Sequence, residues 1–265
     1  MPIIIDGDIR QIDRSDFKKI DYEVMGHAYK AHSELGPHFD ELIYSNYLAA
    51  ELLRANLQVR REVEIQISHQ SFQKKFYIDL LVENAVPYEL KTVDAFHPKH
   101  DAQLLQYLYL SRLKDGKLLN FRKDSLQGRF VSATISNEQR YEFTITKQDT
   151  RKNKIADLIE NTLHNLLSDW GTLLSTALYA DALVALIPGA QHSKVNLFYN
   201  NITLGSTTVA TLHPTGFLHI SAVKNQKSQQ YTYIKRLLSM TSLEECYWIN
   251  FNNQHIQLLH IRKFS

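Results

Sequence analysis

An apolar residue at every third or fourth position buries one stripe of a helix, and one at every second position buries one face of a strand. In this chain the apolar period switches in a set order, and then the same order comes again. Phe17, Ile20, Val24, Ala28, Ala31 and Leu35 have helical spacing, and Gly36-Pro37 closes that helix. A second helix is predicted from about Phe39 to Asn56, with Ile43, Tyr47, Ala50 and Leu53 inward. Strands are predicted at Val63–Ile67, Phe76–Val82 and Val86–Lys91, then a helix at Pro98–Leu113, then strands at Lys117–Phe121 and Arg129–Ile135. The second series places helices at Ile155–Leu167 and Thr172–Ile187, and strands at Val195–Tyr199, Thr207–Leu212 and Phe217–Val223. A helix at Gln229–Ser239 and strands at Cys246–Phe251 and His255–Ile261 complete it, with Asn200-Asn201 as a hairpin turn. Helix, helix, three strands, helix, two strands is a sheet with helices packed on it, of the α/β or α+β kind.

The register suggests a duplication. A shift of 135 carries Gly36 onto Gly171, Tyr44 onto Tyr179 and Leu48 onto Leu183. A shift of 130 carries Leu108 onto Leu238, Leu113 onto Leu243 and Asn120-Phe121 onto Asn250-Phe251. The 265 residues have room for two domains at roughly 150 residues each, and the expected domains are residues 1–150 and 151–265.

Composition narrows the function classes. With 44% hydrophobic and 22% charged residues the chain reads as globular, and no apolar run approaches the ~20 residues of a membrane span, so no membrane partner is expected. One cysteine, Cys246, excludes an internal disulfide, an all-cysteine zinc site and a cysteine-ligated iron–sulfur cluster, and its apolar strand suggests a core thiol. Residues 1–10 resemble neither a secretory signal nor a transit peptide, and a reducing, cytoplasmic setting is expected. No Gly-x-x-x-x-Gly-Lys phosphate loop occurs. The net charge of +2 hides an asymmetry: residues 1–150 hold 22 of the 28 carboxylates. Either surface charge drifts between domains, or one half needs carboxylates for chemistry.

Asp79, Glu89 and Lys91 offer that chemistry. Glu-x-Lys on a strand puts both side chains on one face. A three-residue loop, Glu83-Asn84-Ala85, would set residue 82 against 86 and therefore Asp79 against Glu89, and Asn84 accepts the left-handed backbone such a loop needs. A two-residue loop would put the carboxylates on opposite faces. Paired carboxylates repel each other and invite a hard divalent cation, Mg²⁺ or Mn²⁺, which would activate water and neutralise a scissile phosphate. Lys91 would orient the water or neutralise developing charge. The plainer reading is two surface carboxylates salt-bridged to a lysine; the apolar strand residues around them favour a site. Glu41 and Tyr44 share a helical face, as do Gln103 and Tyr107, with Gln103 able to reach a metal-bound water or phosphate and Tyr107 also readable as core. His97 and His100 read as a helix cap.

Taken together, residues 24–135 resemble the GxxExxY family of the PD-(D/E)XK nuclease superfamily. The resemblance is carried by Leu35-Gly36-Pro37-His38, Glu41, Tyr44, Asp79-Leu80-Leu81-Val82, Glu89-Leu90-Lys91, Ala102-Gln103-Leu104-Leu105-Gln106-Tyr107-Leu108 and Leu118-Leu119-Asn120-Phe121. It implies two restriction-endonuclease-like domains, each a mixed central sheet flanked by helices. It also implies a nuclease in which Asp79, Glu89 and the Leu90 carbonyl bind metal, Glu41 assists, Lys91 is catalytic, and Gln103 and Tyr107 support the site or the nucleic acid, expected to be DNA. His38 stands where the family motif has glycine and reads as an exposed residue before the helix; Asp40 replaces an apolar residue, and Ile78 stands in place of proline. Pro87 removes a ladder donor and belongs at a strand start or a bulge.

At Glu41, Asp79, Glu89 and Lys91 the second series has Thr176, Val209, His219 and Ser221, and at Gln103 and Tyr107 it has Tyr233 and Leu237. The second half is therefore expected to be a degenerate copy that pairs with the active half or holds substrate, with Lys224, Lys227, Lys235 and Arg236 as candidate phosphate contacts. A homo-oligomer or a protein partner is compatible with this. The rival expectations are a non-cleaving nucleic-acid-binding or scaffolding subunit, and an interaction module docking through its second half.

Overall fold

A computed structural model describes residues 2–148, 153–225 and 227–263. The expected boundary at residue 150 lies outside the described residues. The chain divides into two compact units, Met1–Ser68 with Gln73–Asn137, and His69–Phe72 with Glu138–Ser265. Both are mixed α/β, each a six-stranded sheet flanked by helices, as the sequence predicts.

In the first unit, β1 (Ile3–Ile5) is followed by α1 (Arg14–Leu35) and α2 (Glu41–Arg54), then β2 (Val59–His69), β3 (Phe72–Val82) and β4 (Val86–Lys91). After these come α3 (Pro98–Ser111), β5 (Asp115–Asn120) and β6 (Gln127–Ser132). The strands lie in sequence order; β4 and β5 run parallel, as α3 between them requires, while β3–β4 and β5–β6 are antiparallel. Asp13 caps α1 by accepting from the Asp16 N–H. Gly36, at φ 69°, ends α1 and gives its own N–H to the His32 carbonyl.

The helix stripe predicted for α2 is one residue out of phase. Ile43 and Leu53 are 41% and 56% exposed, whereas Tyr44, Leu48 and Leu52 are buried against α1 and the sheet. Tyr44 decides the rotation: its hydroxyl donates to the Gly36 carbonyl and its ring stacks on Phe121. A buried phenol needs such a partner, and apolar residues lie on both stripes of α2, so spacing alone does not choose between them.

β2 and β3 are longer than predicted, because the added stretches run through Arg60-Arg61-Glu62, Ser68-His69 and Gln73-Lys74-Lys75, where no apolar residue marks an alternation. β1 is too short to show a period; its isoleucines pair with Ile65, Gln66 and Ile67 at the sheet edge. The β3–β4 loop has the expected three residues, with Val82 opposite Val86 and Leu80 opposite Tyr88. Glu83 joins Asn84 in the left-handed region, at φ 54° and 53°. One step beyond Leu80–Tyr88 sets Asp79 against Glu89. Leu80, Tyr88 and Leu90 point into the core under α1 and α2, so Asp79, Glu89 and Lys91 take the opposite face. Pro87 is the second residue of β4, and the β4–β5 ladder begins after it, at Tyr88–Lys117. A side chain on Gly116 would come 3.0 Å from the Pro87 ring, so the small residue lets β5 approach the proline.

The second unit contains α4 (Asn137–Arg140, beginning at the division), β7 (Thr144–Lys147), α5 (Lys154–Trp170), α6 (Thr176–Leu186), β8 (Gln191–Tyr199), β9 (Ile202–His213) and β10 (Gly216–Ser221). It ends with α7 (Lys227–Met240), β11 (Glu245–Asn252) and β12 (His255–Arg262). Its order is β7-β12-β11-β10-β9-β8, with β10–β11 parallel and β9–β10 and β11–β12 antiparallel, so β8 to β12 have the pairing pattern of β2 to β6. Asn200 and Asn201, both left-handed, form the expected β8–β9 turn. Cys246 is a buried core thiol.

Local contacts recur from one unit to the other. Gly171 ends α5 at φ 74° as Gly36 ends α1. Tyr179 gives its hydroxyl to the Gly171 carbonyl and stacks on Phe251, as Tyr44 does to Gly36 and Phe121. Asn120 clasps the Val93 backbone through both its amide groups, and Asn250 does the same to Val223.

Candidate active site

Asp79, Glu89, Lys91, Gln103 and Tyr107 form one hydrogen-bonded group on the face of the first sheet that α3 covers. The β3–β4 register brings in the carboxylates, the period of two adds Lys91, and one turn of α3 adds Gln103 and Tyr107. The Leu90 N–H donates to Asp79 Oδ2 at 2.8 Å, and the Asp79 N–H to Glu89 Oε1 at 3.4 Å, so each carboxylate is held by the other strand's backbone. Glu89 Oε2 accepts from Lys91 Nζ at 3.3 Å and from Gln103 Nε2 at 3.0 Å, and Gln103 Nε2 also lies 3.1 Å from the Tyr107 hydroxyl. Tyr107 is both core and site, because its ring is buried while its hydroxyl joins this network.

The electrostatics follow from burial. Glu89 is 0% exposed. Loss of water, and next the Asp79 charge, push its carboxyl up to about 8 against the pull of Lys91. Burial also raises the Asp79 carboxyl; Glu41 and Glu62 add to this, and the Leu90 N–H and Lys91 oppose it. Burial lowers the Lys91 ammonium, but Glu89, Asp79 and Glu41 outweigh burial and leave it raised, so Lys91 stays a cation. Tyr107 is pushed up to about 12, first by burial and then by Glu89, and stays protonated.

Glu41 is the first residue of α2, and its Oε1 accepts from the Thr92 N–H at 3.0 Å, just beyond Lys91. It lines a cavity of about 260 Å³ with Leu42, Ser45, Glu62, Asp79 and Leu90. The Leu90 side chain belongs to the core; its N–H fixes Asp79. His38 is exposed in the loop before α2, and His97 and His100 form the capping box of α3.

The donor set suits a hard divalent cation: anionic oxygens whose mutual repulsion a positive ion would relieve. Among the described residues no group of three or more His, Cys, Asp or Glu is placed to hold a metal ion by itself. A cation here would complete its shell with water and substrate oxygens, the usual habit of Mg²⁺.

Glu62 was not legible as part of this site. It lies inside β2 at φ 48°, a backbone region that costs a non-glycine residue about 1–2 kcal/mol. The other left-handed non-glycine residues described lie in turns, loops or at helix ends. The strain breaks the alternation: Arg61 and Glu62 are both exposed, and burial resumes at Val63.

At the corresponding place the second unit has no carboxylate pair. One step beyond Leu218–Ala210 sets His219 against Val209. His219 bonds Gln230 at 3.2 Å and lies against Tyr233 and Trp248, and burial lowers its imidazole. Ser221 accepts from the Trp248 indole and donates to Asn250.

No curated protein and no solved structure matches the chain. Residues 18–131, which contain Glu41, Asp79, Glu89, Lys91, Gln103 and Tyr107, match the family model of the PD-(D/E)XK nuclease superfamily.

Proposed function

We propose that the first unit is a GxxExxY-type, Mg²⁺- or Mn²⁺-dependent nuclease that hydrolyses phosphodiester bonds in DNA, and that the second unit is a degenerate, inactive copy of the same fold. The observation that carries the reading is the Asp79–Glu89–Lys91–Gln103 network inside the stretch that matches the nuclease superfamily. Asp79, Glu89 and the Leu90 carbonyl would hold the cation, with Glu41 assisting. When bound, it lowers the pKa of a coordinated water and offsets charge on the phosphate.

The chain's own residues do the rest. Lys91, placed beside Glu89 as an ammonium, donates to a non-bridging phosphate oxygen and stabilises the developing negative charge. Gln103 and the Asp79 N–H fix the orientation of the Glu89 carboxylate. Tyr107 keeps its proton and anchors Gln103 through its hydroxyl oxygen. In the second unit His219, Val209 and Ser221 supply no anionic oxygens; His219 bonds Gln230, and Ser221 bonds Asn250 and Trp248. The roles we assign to it are pairing with the active half or holding substrate.

The test is cleavage of linear duplex, nicked and single-stranded DNA, and of RNA, by the full chain with Mg²⁺ or Mn²⁺. The wild type is expected to cleave DNA, and Asp79→Ala and Lys91→Ala to lose at least about 100-fold, the scale of removing one transition-state donor. Equal activity in wild type and variants would refute the assignment. Mn²⁺ binding with no turnover on any substrate would leave a nucleic-acid-binding scaffold as the better description.

A further inference from the structure

Glu62 is the residue for which the fold accepts strain with no packing in return. It stands in the left-handed region within a strand, it is exposed, and its carboxylate has no hydrogen-bond or ion-pair partner among the described residues. Regular strand geometry would not have put both Arg61 and Glu62 on the open side. With the break, Glu62 lines the cavity that Glu41, Ser45, Asp79 and Leu90 also line, from the strand beside β3. Its charge is felt at Asp79, which places the two carboxylates in electrostatic reach. A surface glutamate with no function gains nothing from facing other acids, and strained backbone of this kind is retained where a site needs it.

We propose that Glu62 is a further acid of the catalytic centre, one that binds the water shell of the divalent cation beside Asp79. This rests on the reading of Asp79 and Glu89 as cation ligands. Its chemistry follows from the site: Asp79 and Glu89 alone leave most of the coordination shell to water, and a free carboxylate on the open side of Asp79 accepts hydrogen bonds from those waters. The cavity then takes a hydrated divalent cation together with the phosphate it carries.

The experiment is calorimetric titration of the full chain with Mn²⁺, using wild type, Glu62→Gln, Glu62→Gly and Asp79→Asn, alongside their melting temperatures. Glu62→Gln, which keeps size and loses charge, is expected to weaken Mn²⁺ by about tenfold, the usual effect of removing an outer-shell partner. Glu62→Gly should weaken it equally while melting higher than Glu62→Gln, because glycine relieves the backbone. Unchanged Mn²⁺ affinity in both Glu62 variants, with affinity abolished in Asp79→Asn, overturns this inference and spares the assignment of Asp79. Unchanged affinity in Asp79→Asn overturns both.

Discussion

Glu89→Gln should make the protein more stable at alkaline pH while disarming it. Glu89 is fully buried, and its carboxyl is raised from the ordinary 4.5 to about 8, by burial first and by the Asp79 charge next. An acid with a raised folded-state pKa binds its proton more tightly folded than unfolded. It therefore subtracts stability as pH climbs from the unfolded value to the folded one, and the loss is complete above about pH 8. At 1.36 kcal/mol per pH unit, the interval from 4.5 to about 8 corresponds to roughly 4–5 kcal/mol. That is a large part of the 5–15 kcal/mol that holds a typical domain together. Glutamine keeps one acceptor oxygen, which can serve Lys91 and Gln103, gives up the long 3.4 Å bond from the Asp79 N–H, and has no charge to bury. Wild type and variant should thus be alike near pH 5 in EDTA, and the variant should be the more stable by pH 9. Raised Lys91 does not interfere, since its contribution is lost only well above that range. The readout must follow the first unit, and both tryptophans, Trp170 and Trp248, lie in the second. Hydrogen exchange of the Leu90 and Leu119 amides, measured for both proteins from pH 5 to pH 9, reports the right unit. Equal pH dependence in the two proteins, or a wild type that gains on the variant as pH rises, would refute the reasoning.

Two further outcomes concern the backbone. Asn120→Ala and Asn250→Ala each strip a part-buried backbone N–H and C=O of their partner, at Val93 and at Val223. Each should cost about 1–2 kcal/mol in its own unit by urea unfolding, and Asn120→Ala should also impair cleavage, because Val93 lies two residues beyond Lys91. Glu62→Gly should gain up to about 1 kcal/mol, the left-handed penalty less glycine's added chain entropy, whereas Glu62→Ala at the same φ should gain nothing; thermal melts of the two variants decide it.

Much of the architecture is written in periodicity. The switch from helical to alternating spacing marks the order of the principal elements in both units, and the three-residue loop at Glu83 fixes the register that opposes Asp79 to Glu89. The motif residues were legible for the same reason: carboxylates and a lysine are conspicuous on strands whose other face is apolar. Equivalent aromatic clasps at Tyr44 and Tyr179 were visible as aligned tyrosines, though not as hydroxyls reaching Gly36 and Gly171.

What escaped the sequence depends on contacts between residues far apart in the chain. The stripe that α2 buries was settled by Phe121 and the Gly36 carbonyl, not by spacing. β1 and β7 are short edge strands, at three and four residues, and their partners rather than their own period make them strands. Glu62 carries no local signal, because its left-handed backbone is disfavoured for that residue type and is maintained by the structure around it. The rise of the Glu89 carboxyl is likewise a tertiary fact. Sequence named the residue and its neighbours, but only the closing of the fold removed the water that would have kept its charge cheap.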